Sequence, residues 1–269
     1  MPRGTRLSGA KLLVTGGGSG LGRRMALGAA RRGSRVVIWD VDAERGAAVR
    51  DEIRAAGGSA EAHAVDVTDR AAVMAAAAVA GAVDVLVNNA GVVSGRQLLD
   101  ATDEAIERTM KVNVLALYWV TRSFLGGMAS RRRGTVVTIA SAAGLVGVAR
   151  QTDYSASKFA AFGFNESLRA ELRAGSPGVN TLVVCPYYID TGMFDGVQTR
   201  WPRLLPILHE EQVATKVLDA VEAGQRKLVL PAIVNLLPAL RILPVSVFDR
   251  LMDLLGVNRT MDHFTGRTG

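Results

Sequence analysis

The sequence is poor in residues that form disulfides or hold metal ions. It contains one cysteine, Cys185, and three histidines that lie far apart. A single cysteine cannot form a disulfide within the chain, and the histidines do not occur at metal-ligand spacing. We therefore expect a reducing compartment and no bound metal. Cys185 has no evident activating base beside it and is interpreted as a small core residue.

A clear secretion signal and a clear membrane span are also lacking. Residues 1–10 carry basic side chains without an apolar core, which predicts no signal peptide. Residues 228–248 are long enough to span a bilayer, but Arg241 and three prolines favour short surface helices. The sequence predicts a cytoplasmic protein whose C-terminal extension either covers the substrate as a lid or makes peripheral contact with a membrane.

The excess of positive charge is modest. Lysine and arginine number 32 against 25 acidic residues, and the formal charge of +7 does not by itself define a partner. The densest basic run, residues 131–133, has no interleaved aromatic residues for base stacking. We interpret this run as a solvated turn and expect no nucleic-acid partner.

Apolar runs alternate with segments of helical spacing along the chain. Runs rich in Val, Leu and Ile are typical of strands buried on both faces, and their alternation with helices builds a parallel sheet. The predicted strands are residues 11–15, 36–39, a third region ending at 65–67, 83–87, 135–139, 180–184 and 227–230. The predicted helices are residues 20–32, 43–56, 69–79, 102–125, 153–174 and 210–223.

These patterns predict a single doubly wound α/β domain over residues 1–269, with a seven-stranded parallel sheet. Residues 1–227 would form the dinucleotide-binding core. Residues 228–269 would form the last strand and an apolar helical lid.

A glycine-rich turn follows the first predicted strand and opens the first helix. Its backbone N–H groups and the helix N-terminus can bind a pyrophosphate, whereas a plain tight turn is the competing interpretation. The candidate cofactor-binding residues in this turn are Gly16, Ser19, Gly20, Leu21 and Gly22.

Asp40 ends the second predicted strand. A carboxylate there can accept hydrogen bonds from both hydroxyls of an adenosine ribose and repels a 2′-phosphate. Position 41 is valine and positions 17–19 carry no basic residue, so the sequence favours NAD over NADP. The competing interpretation is that Asp40 caps the next helix, a role for which Asp42 also qualifies.

Polar and small residues follow the third and fourth predicted strands as well. Asp66, next to Val67, can accept a hydrogen bond from an adenine amino group. Asn88 begins a pair of asparagines that can tie neighbouring loops together, while Ala90 and Gly91 allow a cofactor to approach the backbone.

Four further residues form a candidate reacting group. Tyr154 and Lys158 lie four apart on one helix face, and an adjacent ammonium would lower the pKa of the phenol. Ser141 ends the fifth strand, and Asn113 interrupts an apolar helix where a relay water is one partner for its amide. The alternatives are a chance Tyr–Lys spacing, a helix cap at Ser141 and a backbone hydrogen bond for Asn113.

In order and spacing, these segments together resemble the short-chain dehydrogenase/reductase family over essentially the whole chain. By this resemblance, Tyr154 is the catalytic acid or base, and Lys158 lowers its pKa and binds the nicotinamide ribose. Ser141 would position the reacting oxygen, and Asn113 would support a relay of water.

The resemblance extends to the loop after the sixth strand. Within it, Pro186, Ile189 and Thr191 would contact the nicotinamide end of the cofactor. The family usually has glycine after this proline, whereas this chain has Tyr187 and Tyr188. The two rings either shape an apolar pocket or pack against the sheet.

A narrower likeness, in residues 39–40, 190–194 and 254–264, is to the retinol dehydrogenase and 17β-hydroxysteroid dehydrogenase branch. Those relatives usually carry an N-terminal hydrophobic anchor, which residues 1–10 do not supply. This likeness and the apolar extension predict a lipophilic substrate of retinoid, steroid or long aliphatic type.

Three other residues, Met193, Phe194 and Trp201, are predicted to contact that substrate, with plain packing as the alternative. The predicted activity is hydride transfer between NAD and a hydroxyl or carbonyl carbon. A non-catalytic NAD-responsive interaction protein and a dehydrogenase of small polar alcohols remain alternatives.

Two surfaces are candidates for assembly. The stripe of small residues on the Tyr154 helix predicts a homodimer or homotetramer contact, with packing inside the monomer as the alternative; it comprises Ala156, Ala160, Gly163 and Ser167. The basic residues of the tail favour contact with an anionic membrane surface; they are Arg241, Arg250, Arg259 and Arg267.

Overall fold

The computed structural model describes residues 4–175 and 178–266. Within them, parallel strands form a seven-stranded sheet in the order β3-β2-β1-β4-β5-β6-β7, as the sequence predicts. The strands are β1 Lys11–Thr15, β2 Arg35–Asp40, β3 Ser59–Ala64, β4 Val85–Asn88, β5 Gly134–Ile139, β6 Val179–Pro186 and β7 Lys227–Leu230. The third strand ends at Ala64, so the predicted Asp66 and Val67 lie in the loop beyond it.

Helices cover both faces of the sheet. They are α1 Gly20–Arg31, α2 Ala43–Ala55, α3 Arg70–Ala80, α4 Asp103–Met110, α5 Ala116–Arg131, α6 Thr152–Gly175, α7 Glu210–Glu222, α8 Leu237–Leu240 and α9 Val245–Leu255. Side chains of α1, α2 and α7 pack on one face, and those of α3, α5 and α6 pack on the other. The central strands are therefore buried on both sides, which explains why they lack polar alternation.

All strands run parallel, but the direction in which successive strands are added across the sheet reverses between β1 and β4. Strands β2 and β3 extend to one side of β1, whereas β5, β6 and β7 extend to the other side of β4. Loops after β1 and β4 leave in opposite directions at such a switch point, and ligands of doubly wound sheets bind in the resulting crevice. The carboxyl ends of β1 and β4 thus define where the site lies.

The predicted helix 102–125 is not continuous. A π-helical segment, Lys111–Leu115, separates α4 from α5, and the helix runs on to Arg131. Asn113 lies inside this π turn, where its amide is bonded to the loop after β4. A π turn inserts an extra residue into the helical repeat, which hydrophobic spacing alone does not reveal.

The C-terminal extension folds back over the carboxyl edge of the sheet. It consists of a short 3₁₀ turn, Ala232–Leu236, then α8 and α9, and it packs through Met252 and Val257 against Val146. This arrangement confirms that the extension is helical, as predicted. No helix in the described ranges is long and apolar enough to cross a bilayer.

Candidate active site

The glycine-rich turn between β1 and α1 requires glycine for steric reasons. Gly16 and Gly20 have φ values of +62° and +49°, which side chains rarely adopt. A Cβ atom at Gly22 would lie 2.1 Å from the Gly16 carbonyl oxygen, so the start of α1 packs directly on the turn. The first turn of α1 carries no acidic residue, which leaves its positive end available to an anion.

Thr15 braces this turn against the loop after β4. Its hydroxyl oxygen accepts hydrogen bonds from the backbone N–H groups of Asn89, at 3.0 Å, and Ala90, at 3.1 Å. The side-chain amide of Asn89 donates to the carbonyls of Thr15 and Gly16 at 2.9 and 3.1 Å. The predicted tie between the two loops therefore exists through Asn89, the second asparagine of the pair, and sequence reasoning missed Thr15 as its partner.

Asn88, predicted to bind the cofactor, does not face the crevice. Its side chain is 3% exposed and donates to the hydroxyl of Thr121 on α5 at 2.9 Å. Successive side chains of a strand point to opposite faces, so Asn88 faces the helix layer while Asn89 reaches the glycine-rich turn. The side chain that lines the crevice at this position is therefore that of Asn89, not of the predicted Asn88.

Asp40 projects into the same crevice. One carboxylate oxygen accepts the Gly18 N–H at 2.7 Å and the other accepts the Asp42 N–H at 3.0 Å. The competing interpretation of Asp40 as a helix cap is wrong, because Asp42 caps α2 through the N–H groups of Glu44 and Arg45. Asp40 is thus held at the place where a ribose would be recognised.

Arg45 is a neighbour that sequence reasoning missed. It lies in the first turn of α2, forms an ion pair with Asp42 at 3.0 Å and lines the crevice beside Asp40. Its Cβ would be 2.9 Å from a Cβ atom added at Gly18. Residues adjacent to Asp40 in sequence lack a basic group, but the fold supplies one.

The far end of the crevice is formed by the loop after β3. Asp66 is exposed and uses one carboxylate oxygen to accept from the N–H and hydroxyl of Thr68, at 2.8 and 2.7 Å. It therefore closes a turn and also lines the crevice, next to Val67.

Tyr154, Ser141 and Lys158 converge at the opposite end. Tyr154 and Lys158 lie in the first part of α6, and the Lys158 Nζ is 5.5 Å from the centroid of the Tyr154 ring. Lys158 donates to the Ile139 carbonyl at 2.9 Å. Ser141 hydrogen-bonds the phenol of Tyr154 and also accepts the Ala143 N–H at 3.1 Å, so it caps a turn as well as facing the tyrosine.

The pKa values of this group are governed by burial. Burial raises the pKa of Tyr154 above its ordinary value, and the hydrogen bond with Ser141 offsets only part of the rise. Burial also lowers the pKa of Lys158 to about 8. Burial of the phenol, rather than the neighbouring Lys158 ammonium, therefore sets the direction of the Tyr154 pKa shift in this structure.

Asn113 is buried behind these residues. Its amide donates to the Val92 carbonyl at 2.9 Å and to the Ser157 hydroxyl at 3.0 Å, while its oxygen accepts the Val92 N–H at 2.9 Å. The backbone hydrogen bond considered as an alternative thus exists. A Cβ atom at Gly91 would lie 3.3 Å from the Asn113 oxygen and 3.6 Å from the Lys158 Nζ, so these polar atoms border a common space.

A continuous cavity of about 970 Å³ joins the two ends. It is at the upper end of the range for small-molecule sites. Of the predicted site residues, all but Asn88 and Asn113 line it: Gly16, Ser19, Gly20, Leu21, Gly22, Asp40, Asp66, Val67, Ala90, Gly91, Ser141, Tyr154, Lys158, Pro186, Ile189 and Thr191.

The roof of the cavity is apolar. The extension contributes Leu237, Leu240, Leu251, Met252 and Leu255 to its lining. Of the residues predicted to contact a lipophilic substrate, Met193 and Phe194 line the cavity. Trp201 does not: its ring is 46% exposed and its indole N–H donates to the Leu254 carbonyl at 3.1 Å.

The two tyrosines after Pro186 both line the cavity, and their ring centroids lie 4.7 Å apart. Tyr187 also packs against the apolar cluster that contains Val183 and Val229 of the sheet, so both interpretations hold for this residue. Cys185 is fully buried, and burial raises its thiol pKa to about 12, which confirms the prediction of a core residue.

The arrangement fits a dinucleotide. The glycine-rich turn and the N-terminus of α1 would hold a pyrophosphate, and the carboxylate of Asp40 would hold a ribose. Tyr154 and Lys158 then border the opposite end of the same cavity, where a redox-active ring would lie against a substrate.

Comparison with known proteins gives the same assignment. The short chain dehydrogenase family model matches residues 10–200. This chain belongs to the short-chain dehydrogenase/reductase family, and it is an oxidoreductase that uses a nicotinamide cofactor. Epidermal retinol dehydrogenase 2 of Mus musculus is 40% identical to it, over 97% of this chain and 87% of the relative.

Two solved structures share the fold. A short-chain dehydrogenase/reductase from Burkholderia phymatum in complex with NAD has a TM-score of 0.80 and 28% identity, covering 88% of this chain and 95% of that one. A metagenomic short-chain oxidoreductase in complex with NADP has a TM-score of 0.71 and 31% identity, covering 84% and 97%. These relatives thus include proteins bound to either dinucleotide.

Proposed function

We propose that this protein is an NAD-dependent dehydrogenase/reductase of lipophilic alcohols and the corresponding aldehydes or ketones. The observation that carries the proposal is that Tyr154, Ser141 and Lys158 border one cavity together with the Asp40 carboxylate at one end and an apolar roof at the other. The likeness to a retinol dehydrogenase supports this substrate class.

The chain's own residues would hold the dinucleotide along the crevice. Residues 1–227 supply the binding core, and the extension of residues 228–269 supplies the roof; residues 267–269 lie outside the described part. Asp40 would accept from the ribose hydroxyls, Asp66 from the adenine, and the loop of Pro186, Ile189 and Thr191 would lie at the nicotinamide. When bound, the nicotinamide supplies the hydride acceptor or donor.

Tyr154 would move the proton at its phenolic oxygen, while Ser141 positions the substrate oxygen beside it. Because burial keeps the phenol protonated, the group is suited to donate a proton to a carbonyl in the reductive direction. In the oxidative direction the same oxygen must lose its proton first. Lys158, with a pKa of about 8, can exchange a proton near neutral pH. Asn113 would hold the loop after β4 beside it through the Val92 carbonyl.

The preference for NAD rests on Asp40. Its carboxylate would lie against a 2′-phosphate and repel it, whereas it can accept hydrogen bonds from unphosphorylated ribose. Arg45 opposes this preference, because its positive charge would attract a 2′-phosphate. Its ion pair with Asp42 offsets part of that charge.

Replacement of Tyr154 by phenylalanine tests the proposal. We expect the variant to bind NAD with unchanged affinity in isothermal titration and to lose nearly all turnover of long-chain alcohols, measured by the near-ultraviolet absorbance of reduced nicotinamide. The exposed Tyr118 on α5 offers a matched control, because Tyr118→Phe changes the same atom away from the cavity. Full activity of Tyr154→Phe, or activity of the wild type on small polar alcohols alone, would contradict the proposal.

We also propose that the protein assembles through α6 as a homodimer or homotetramer. Ala156, Gly163 and Ser167 are exposed and Ala160 is half-buried, so packing inside the monomer does not account for the small-residue stripe. A Cβ atom at Gly163 would meet no atom within 4 Å, which leaves the face open to a second copy. Light scattering should therefore report a multimer that Gly163→Arg reduces to a monomer.

Peripheral contact of the extension with a cytoplasmic membrane surface is a further part of the proposal. Ile242 and Val245 in the extension are 87% and 75% exposed, and Arg241 and Arg250 of the same extension are exposed as well. Arg267, the last residue of the predicted basic tail, lies outside the described residues. Flotation with anionic vesicles should carry the protein upward, and Ile242→Asp should weaken this binding.

A further inference from the structure

Three segments around the cavity meet at the hydroxyl of Tyr188. Gln151 directly precedes α6, Tyr188 follows β6, and Thr260 belongs to the C-terminal extension; they are 1%, 7% and 2% exposed. The Gln151 Nε2 lies 3.1 Å from the Tyr188 oxygen, which lies 2.8 Å from the Thr260 Oγ1. The hydroxyl thus joins the catalytic helix, the nicotinamide loop and the roof.

The direction of these hydrogen bonds follows from counting protons. The Thr260 hydroxyl has one proton, which it donates to the Val257 carbonyl at 2.9 Å. It must therefore accept from Tyr188, whose oxygen in turn accepts from the Gln151 amide. Removal of the Tyr188 hydroxyl would leave buried Gln151 and Thr260 each short of a partner, which is more costly than losing an exposed hydrogen bond.

The same residue is linked to the reacting group. The Gln151 carbonyl accepts the Ser155 N–H at 2.7 Å, in the first turn of the helix that carries Tyr154. The Tyr188 ring packs edge-on against Phe194 with centroids 5.0 Å apart, and Phe194 packs edge-on against Tyr154 with centroids 5.7 Å apart. A displacement of Tyr188 would therefore shift residues both in the roof and beside the Tyr154 phenol.

We propose that Tyr188 is a positioning residue that fixes the C-terminal roof over the substrate end of the cavity. A long apolar substrate would contact the roof, whereas a short one would reach only Tyr154 and Ser141. Loss of the hydroxyl should therefore weaken binding according to chain length. The kinetic part of this inference rests on the proposed function, but the hydrogen bonding does not.

The test compares Tyr188→Phe, Thr260→Val and the double variant. For Tyr188→Phe we expect the KM for decanol to rise about tenfold, in line with the loss of one buried hydrogen bond, with little change in kcat or in the KM for propanol. Amide hydrogen exchange in residues 245–266 should accelerate by a similar factor without substrate. Thr260→Val should produce both effects at least as strongly, because it also removes the bond to the Val257 carbonyl, and adding Tyr188→Phe to it should change little further.

Tyr187→Phe is the matched control for exchange, since the Tyr187 hydroxyl makes no hydrogen bond within the described residues. This variant should leave the protection of residues 245–266 unchanged. Unaltered exchange in Tyr188→Phe, or an equal KM increase for decanol and propanol, would overturn the inference. A wild type that oxidises no alcohol would instead refute the proposed function, and the exchange measurements would still decide the role of Tyr188.

Discussion

Substitution of Thr15 by valine is expected to destabilise the contact between the two loops at the switch point. Valine has nearly the same shape but cannot accept the N–H groups of Asn89 and Ala90, which lie 3.0 and 3.1 Å from the threonine oxygen. Thr15 is only 2% exposed, so water reaches these donors poorly. The loss should cost about 2 kcal/mol, taking 1–3 kcal/mol for unsatisfied buried groups.

For a chain of this size the loss corresponds to a fall in Tm of roughly 4–8 °C, measurable by scanning calorimetry. Thr15→Ser is the matched control, because it keeps the oxygen and should recover most of the lost stability. NAD affinity should fall in Thr15→Val as well, since Asn89 also holds the carbonyls of the glycine-rich turn. A Tm equal to that of the wild type, or a serine variant no more stable than the valine variant, would refute this reasoning.

Two further predictions concern charge. Asp40→Ala should raise the KM for NAD roughly tenfold or more, as expected for the loss of a hydrogen bond to a charged group, and should improve the use of NADP. Adding Arg45→Ala to this variant should remove the gain with NADP. Unchanged discrimination between NAD and NADP would contradict both roles. The folded-state pKa of Lys158 is lowered from 10.5 to about 8, so the unfolded chain binds more protons between these values. The free energy of unfolding of the wild type relative to Lys158→Met should therefore rise as the pH increases from about 8 towards 10, and a flat or falling difference in denaturant titrations would show that the lysine is not desolvated.

The parallel sheet was predictable because six of its strands are short apolar runs bounded by turns; β3, with the sequence SAEAHA, lacks this pattern, and its end was placed too late. The glycine-rich turn was predictable because positive φ and close packing at Gly16, Gly20 and Gly22 leave few other residue types. The Tyr154–Lys158 spacing on one helix face likewise fixed their proximity.

The errors arose where three-dimensional detail decides the outcome. Whether Asn88 or Asn89 faces the crevice depends on the phase of a strand at its last residue, and the π turn at Asn113 depends on contacts with the loop after β4. The pKa of Tyr154 depends on how completely it is buried, and a sequence shows its neighbours but not its exposure. Arg45 was missed because it reaches the crevice from the next helix.

The order of segments along the chain implies an order of maturation during synthesis. The residues proposed to contact the dinucleotide precede β7, whereas the roof residues from Leu237 to Leu255 follow it and so leave the ribosome later. During synthesis, the chain should therefore become able to bind its cofactor before the roof that would enclose a substrate has formed. Exchange of the C-terminal extension between family members should accordingly change the substrate range without rebuilding the dinucleotide end of the pocket.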